Sequence, residues 1–228
     1  MAIPFIKIRV QKTLKKKTQN KNVIKMNLET AYKKVHKVFD EHRSDPHTEV
    51  EMRLGKFNGK MFDTNVGQEA FDKIYRALMK YDGWEKILKT EEQVFYRDRD
   101  NLRMSVDEST GDRKIVQKLS VHKEDFKRIK SSPFDMRFSV SKEVPFEVDD
   151  LGDMDRTRTK HRHSFIRKNL SIDLTMSTGD SVDLDSEDMT EYQVEFEIIQ
   201  PSQIKDKFQL MNIIQKVNDV FKIFADTK

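Results

Sequence analysis

Glu49-Val50-Glu51-Met52-Arg53 alternates charged and apolar side chains, and Tyr192-Gln193-Val194-Glu195-Phe196-Glu197 repeats the pattern near the other end of the chain. In a β-strand, residues i and i+2 share a face. Each segment therefore aims its carboxylates one way and Val50, Met52, Val194, Phe196 and Ile198 the other. The apolar side belongs against a core. The charged side must look into a space that tolerates several carboxylates close together, and a hard divalent cation is the usual answer.

Outward from these two segments the chain reads as strand after strand. Residues 48–55, 90–98, 101–107, 113–122, 134–144, 156–167, 169–178 and 190–199 all carry β-type alternation. Turn signals separate several of them: Asp107 to Asp112 with Gly111, Lys168-Asn169, and Thr178-Gly179-Asp180. Short connections make neighbours antiparallel, and eight antiparallel strands point to a barrel wide enough inside for side chains or one small ligand. Three helices flank it. The first starts at Asn27 or Thr30 with a stripe of Leu28, Ala31, Tyr32, Val35, Val38 and Phe39, and the second runs from about Gly67 to Tyr81. The third follows Pro201-Ser202, with Ile204, Phe208, Met211, Ile214, Val217 and Phe221 expected to be buried. The fold class is α+β, mainly β: an eight-stranded antiparallel barrel with flanking helices, one domain over residues 28–228.

Charge sits on strands where an ordinary barrel places Val or Leu. Arg156, Arg158, Lys160, Arg162 and Ser164 share one face of their strand, while Arg103 opposes Leu102 and Met104. Lys114, Val116 and Lys118 share a face, Ser139 and Glu143 oppose Phe138 and Val140, and Asp173 and Thr175 oppose Ile172, Leu174 and Met176. For any one such strand a solvated outer face is the better reading. The set is more informative, with acids on the first and last strands and bases on the middle ones. Bases hold a multiply charged anion by charge-assisted hydrogen bonds, and acids hold the cation that bridges to it. Polyphosphate plus metal satisfies both halves.

Composition narrows the field. Of 228 residues 36% are charged, and the absence of cysteine excludes disulfides and thiolate metal sites. No apolar run reaches bilayer-spanning length, and the start, MAIPFIKIRV, lacks a signal-peptide pattern. An intracellular protein without a membrane role is expected. The net charge of +4 is uneven. Residues 1–27 carry eight Lys and Arg and no acid, which leaves the remainder at −4 once +8 is taken from +4. This basic arm suits RNA binding, a solubilising tail, or a strand added over Ile3–Val10.

At these residues the chain resembles the metal-dependent RNA 5′-triphosphatases of fungal and large-DNA-virus mRNA capping, in the triphosphate tunnel metalloenzyme superfamily. EVEMRLG (49–55) matches the first glutamate motif and VEFEI (194–198) the last. RTKHRHSF (158–165) resembles the basic strand, and SVSKE (139–143) and IDLT (172–175) occupy the positions of the Ser-x-x-x-Glu and acidic segments. The resemblance implies a tunnel whose polar lumen binds a triphosphate with Mn²⁺ or Mg²⁺. It makes Glu49, Glu51 and Glu197 metal ligands, with Glu195 ordering metal-bound water or ligating as well. Arg103, Lys118, Lys160 and Arg162 would clamp phosphate oxygens with Arg158 in support, and Glu143 would position the attacking water. Arg53 and Asp173 would orient these groups from behind. The chain departs from the family pattern at Gln193, where a third glutamate is common, with an extra acid at Glu191, and at Ser171, where a base is common.

The implied activity removes the γ-phosphate from 5′-triphosphate RNA, the first step of capping, with NTP hydrolysis as a companion activity. A guanylyltransferase domain or subunit is the implied partner, with a monomeric chain and a nuclear or viral setting. Other readings stay open: a tripolyphosphatase or other small organic-triphosphate hydrolase on the same tunnel, an adenylyl cyclase, or a basic RNA-binding module without catalysis. His161 and His163 form an H-x-H pair facing away from Lys160 and Arg162, which reads as packing more readily than as zinc binding. Trp84, after Asp82-Gly83, reads as a packing anchor.

Overall fold

A computed structural model describes residues 26–127, 129, 132–147, 152–180 and 190–224. Most of the basic arm lies outside these residues. Strand β1 (Thr48–Phe57) has a partner on each side: β6 (Asp135–Pro145), and at the closing seam β9 (Thr190–Ile198). Between them run β5 (Arg113–Phe126), β4 (Leu102–Asp107), β3 (Lys86–Arg97), β7 (Arg156–Arg167) and β8 (Leu170–Gly179), in the order β1-β6-β5-β4-β3-β7-β8-β9. Every pairing is antiparallel, which closes an eight-stranded barrel. A ninth strand, β2 (Phe62–Asp63), pairs only with the end of β1.

Alternation fixes which side chains enter the lumen. Met52 lies opposite Phe196 and Phe138, and all three are fully buried outside the barrel wall. The next position along each strand turns inward, which puts Glu51 opposite both Glu197 and Ser139. A one-residue slip would exchange the two sets, so burying the apolar face also fixes the charged lumen. Each fully buried Phe or Met contributes about 1.5–3 kcal/mol by leaving water, and Phe138, Phe165, Phe196 and Met52 are all of this kind.

The helices cover that apolar face. In α1 (Leu28–His42), Ala31, Val35 and Phe39 are buried at four-residue spacing, and the Asn27 side chain caps the helix by accepting from the Thr30 amide at 3.0 Å. Helix α3 (Lys207–Phe221) packs on α1. Asn218 of α3 joins them, accepting from Met26 N at 2.8 Å and donating to Met26 O at 3.2 Å. Helix α2 (Gln68–Met79) buries Ile74 and Leu78. Trp84 follows it, donates Nε1–H to Leu78 O at 2.9 Å and sits 5.5 Å from the Phe165 ring, a packing anchor as expected.

Three expectations need correction. Strand β3 starts at Lys86, four residues earlier than expected, and β5 runs past a bulge between Ser120 and His122 to Phe126. The stretch after Pro201 is a 3₁₀ turn (Pro201–Gln203), and α3 starts only after Asp206, whose side chain caps the Gln209 amide at 2.9 Å. The helix is therefore rotated relative to the expected stripe. Leu210, Ile213, Ile214, Val217, Val220 and Phe221 are buried, while Phe208 is 75% exposed. Helix α1 begins at Leu28.

Candidate active-site tunnel

The lumen holds a cavity of about 200 Å³ whose lining is almost entirely charged. Strand β1 contributes Glu49, Glu51 and Arg53, and β9 contributes Glu191, Gln193, Glu195 and Glu197. Facing them, β7 supplies Arg156, Arg158, Lys160 and Arg162, with Arg103 from β4, Lys118 from β5 and Tyr96 from β3. Ten of the twelve residues singled out in the sequence line this one space. The other two stand beside it. Glu143 lies opposite Lys118 in the β5–β6 register, and Asp173 lies opposite Glu195 in the β8–β9 register. A larger apolar cleft between α3 and the β7–β8 turn lies outside the barrel and gathers no acids.

The acids are locked onto neighbouring bases. Arg53 donates to Glu51 at 3.0 Å and pairs with Glu195 at 2.8 Å, and Lys118 pairs with Glu49. Ser141 Oγ donates to Glu49 at 2.7 Å. Glu143 takes Lys114 at 2.9 Å, with Lys118 and Arg103 each at 3.7 Å.

These neighbours divide the carboxylates into two groups. Burial pushes Glu197 up to about 7, reinforced by the charges of Asp173 and Glu49. Burial likewise raises Glu51, against the opposing pull of Arg53 and Lys118. At Glu195 burial is outweighed by Arg53, Arg162, Lys160 and Lys118, which hold it at about 2. At Glu143 burial is outweighed by the Lys114 hydrogen bond and by Lys118, so the group lies below its usual value and stays ionised. Asp173 is raised by burial despite the Ser171 hydroxyl at 2.5 Å.

The bases also differ from one another. Arg158 is 5% exposed and its donors are used within the wall: Ser177 Oγ at 2.7 Å, Ser177 O at 2.9 Å, Glu191 at 2.9 Å and Asp180 O at 3.1 Å. Glu191 in turn accepts from the Gln193 amide at 2.9 Å. Gln193 and the extra acid Glu191, one of the two departures from the family pattern, are thus joined in one network around Arg158, while Ser171, the other, donates to Asp173. Lys160 and Arg162 contrast with it, since neither has a carboxylate within 4.0 Å among the described residues. Burial lowers the Lys160 pKa, with Arg103 and Arg162 adding to the effect and Tyr96 opposing it.

Tyr96 is the lumen residue that sequence reading passed over. Its ring is approached by Arg156 at 4.7 Å, Arg103 at 5.4 Å and Lys160 at 5.8 Å. The available signal was register alone, since Tyr96 shares a face with Val94, Glu92 and Thr90 on β3. Ser141, the partner of Glu49, was also passed over. His161 and His163 lie on the opposite face of β7. His163 stacks on Tyr75 of α2 at 5.1 Å and His161 meets Glu91 at 3.4 Å, which makes packing their role.

The donor set suits a hard divalent cation. Glu49, Glu51, Glu195 and Glu197 offer only carboxylate oxygens, and two of the four, buried Glu51 and half-buried Glu197, carry charge that is under-compensated. Among the described residues no three acids or histidines already form a closed ligand set. Three of these carboxylates turn instead toward bases, Glu51 and Glu195 to Arg53 and Glu49 to Lys118.

Comparison with known proteins bears on family and fold. Residues 10–228 match the sequence model of the family described as mRNA capping enzyme, beta chain. The S. pombe Pct1 RNA triphosphatase superposes with a TM-score of 0.68 at 17% identity, covering 95% of this chain and 100% of that one. The same S. pombe enzyme in complex with the Spt5 CTD gives 0.66 at 18% identity, with 96% and 100% covered. At such identities these matches speak for the fold. None of the curated proteins matches the chain.

Proposed function

The chain belongs to the mRNA capping enzyme beta-chain family, and from that premise we propose that it is a divalent-metal-dependent RNA 5′-triphosphatase acting inside the tunnel. The observation that carries the reading is the juxtaposition of Lys160 and Arg162, which hold no carboxylate among the described residues, with four glutamates across one charged cavity. Such a lumen holds an anion of high charge together with a cation. Mn²⁺ or Mg²⁺ is the proposed cofactor, held by Glu49, Glu51 and Glu197 with Glu195 beside them. When bound it withdraws charge from the transferring phosphoryl group.

The chain's own residues do the rest. Phosphoryl transfer needs positioning and charge neutralisation more than a strong nucleophile. Lys160 and Arg162 take the phosphate oxygens, having no wall carboxylate to give up first. Arg103 and Lys118 reach the same space but are shared with Glu143 and Glu49. Glu143 is ionised and fixed by three bases. It accepts a hydrogen bond from the attacking water and orients it opposite the leaving diphosphate. Arg53 and Asp173 orient glutamates and Arg162, and Arg158 stiffens the wall behind the clamp. The products are diphosphate-ended RNA and inorganic phosphate.

NTP hydrolysis, a guanylyltransferase companion and an intracellular nuclear or viral setting follow from the same reading. No described helix is long and apolar enough to cross a membrane. Phosphate release from γ-labelled triphosphate RNA, with Mn²⁺ or Mg²⁺ and then with EDTA, tests the proposal. Metal-dependent release of one phosphate per 5′ end supports it. Salt-sensitive RNA binding that ignores metal and 5′-phosphorylation would favour the RNA-binding module instead.

A further inference from the structure

The charged cavity opens onto a larger space. A second chamber of about 600 Å³ adjoins the first, and the two share Glu51, Arg53, Tyr96, Arg103, Lys118 and Arg156 as a common wall. It lies toward the barrel end that carries the β3–β4 turn, where Asn101 lines it. Ligand pockets for drug-sized molecules run from about 300 to 1,000 Å³. The first chamber falls below that range and the second falls within it.

The electrostatics of the two chambers differ. In the second, the arginines are already paired with wall carboxylates. Arg137 grips Asp125 at 2.7 and 2.9 Å, and Arg156 grips Asp98 at 2.9 and 2.6 Å. Much of the remaining lining is neutral and hydrogen-bonding, including Thr64, Asn101, Ser120 and Ser139. Unpaired positive charge is thus concentrated in the first chamber, while the second offers a charge-balanced polar surface. One cation is an exception: Lys123 is exposed and makes no ion pair within 4.0 Å among the described residues.

We propose that the second chamber is a nucleoside subsite. The triphosphate occupies the first chamber, and the sugar and base attached to it occupy the second. Lys123 meets the next phosphodiester of an RNA chain. This rests on the triphosphatase reading and deepens it, because it makes nucleoside-bearing triphosphates the preferred substrates over inorganic tripolyphosphate.

Two measurements test it. The first compares wild type with Thr64→Trp, which narrows the second chamber from a loop outside the catalytic strands, using tripolyphosphate, an NTP and a triphosphate-ended RNA trimer. The expected result is at least a tenfold rise in KM for the two nucleoside-bearing substrates, with tripolyphosphate turnover within twofold of wild type. A parallel change for all three substrates, or an unchanged nucleotide KM in the folded variant, overturns the proposal. The second is photolabelling of wild-type protein with 8-azido-ATP, which reads binding without turnover and decides the matter if Thr64→Trp does not fold. Label in residues 97–103 or 118–123 supports the subsite, and label confined elsewhere overturns it. Correct labelling without hydrolysis of any triphosphate would refute the triphosphatase reading alone. Hydrolysis with label elsewhere would refute the subsite alone.

Discussion

Glu51 faces Glu197 across the seam where β9 closes the barrel onto β1. One residue along, Met52 faces Phe196, and both of these are fully buried on the outer side. The apolar pair fixes the register, and the register sets buried Glu51 beside half-buried Glu197. Both acids are raised by burial, Glu197 to about 7. The fold therefore carries acids that do not stabilise it, and their position suits the proposed cation.

The pH dependence of stability should reveal this. An acid whose folded pKa exceeds its unfolded value binds more protons in the folded state, so its contribution weakens as pH rises. For Glu197 the window runs from its ordinary value of 4.5 to about 7. Metal-free wild type should lose stability across that window relative to Glu197→Gln, and excess Mn²⁺ should restore it at pH 8. Thermal melts of both proteins at half-unit pH steps measure the difference. Parallel curves would contradict it.

Lys160→Ala and Arg162→Ala should act on rate and spare the fold. Removing a preorganised donor to developing charge typically costs 10²–10³ in kcat. Neither side chain holds a wall carboxylate, so Tm should change by less than about 3 °C, as expected for a loss under 1 kcal/mol. Steady-state phosphate release alongside calorimetry checks both halves.

Arg158 should behave in the opposite way. Arg158→Ala strands Glu191 and the Ser177 groups it contacts, and breaking a buried ion pair costs about 3–5 kcal/mol. Arg158→Lys should rescue little, because one ammonium cannot reproduce a fork that bonds Ser177, Asp180 and Glu191 together. Urea unfolding of the three proteins measures this. A fully stable Arg158→Ala variant would return Arg158 to the set of phosphate ligands.

Gly55 closes the first glutamate motif because β2 lies against it. A Cβ there would stand 2.2 Å from Asp63 O and 2.6 Å from Phe62 Cε1. Gly55→Ala must displace backbone, so a loss of about 1–3 kcal/mol is expected. Denaturant midpoints compare it with wild type.

The strands were legible because a period of two leaves little freedom, and the alternation in Glu49–Arg53 and Arg156–Ser164 assigns every side chain to a face. The residues that were missed lacked such a signal. Tyr96 looks like an ordinary strand aromatic until the register sets it beside Arg103 and Arg156. Phe208 was misassigned because Pro201 and Asp206 both signal a helix start, and only the second opens α3. That Arg158 is consumed by the wall while Lys160 and Arg162 stay unpaired depends on three-dimensional contacts with β8 and β9. Residues of one type on one strand face look alike in the sequence.

The central claim is that acids from the first and last strands jointly bind one cation. Mn²⁺ titration of wild type, Glu51→Gln, Glu197→Gln and the double variant by electron paramagnetic resonance tests it directly. One tight site in wild type should weaken at least 100-fold in each single variant, with little further loss in the double. Unchanged Mn²⁺ affinity in both single variants would contradict a shared site across the β1–β9 seam.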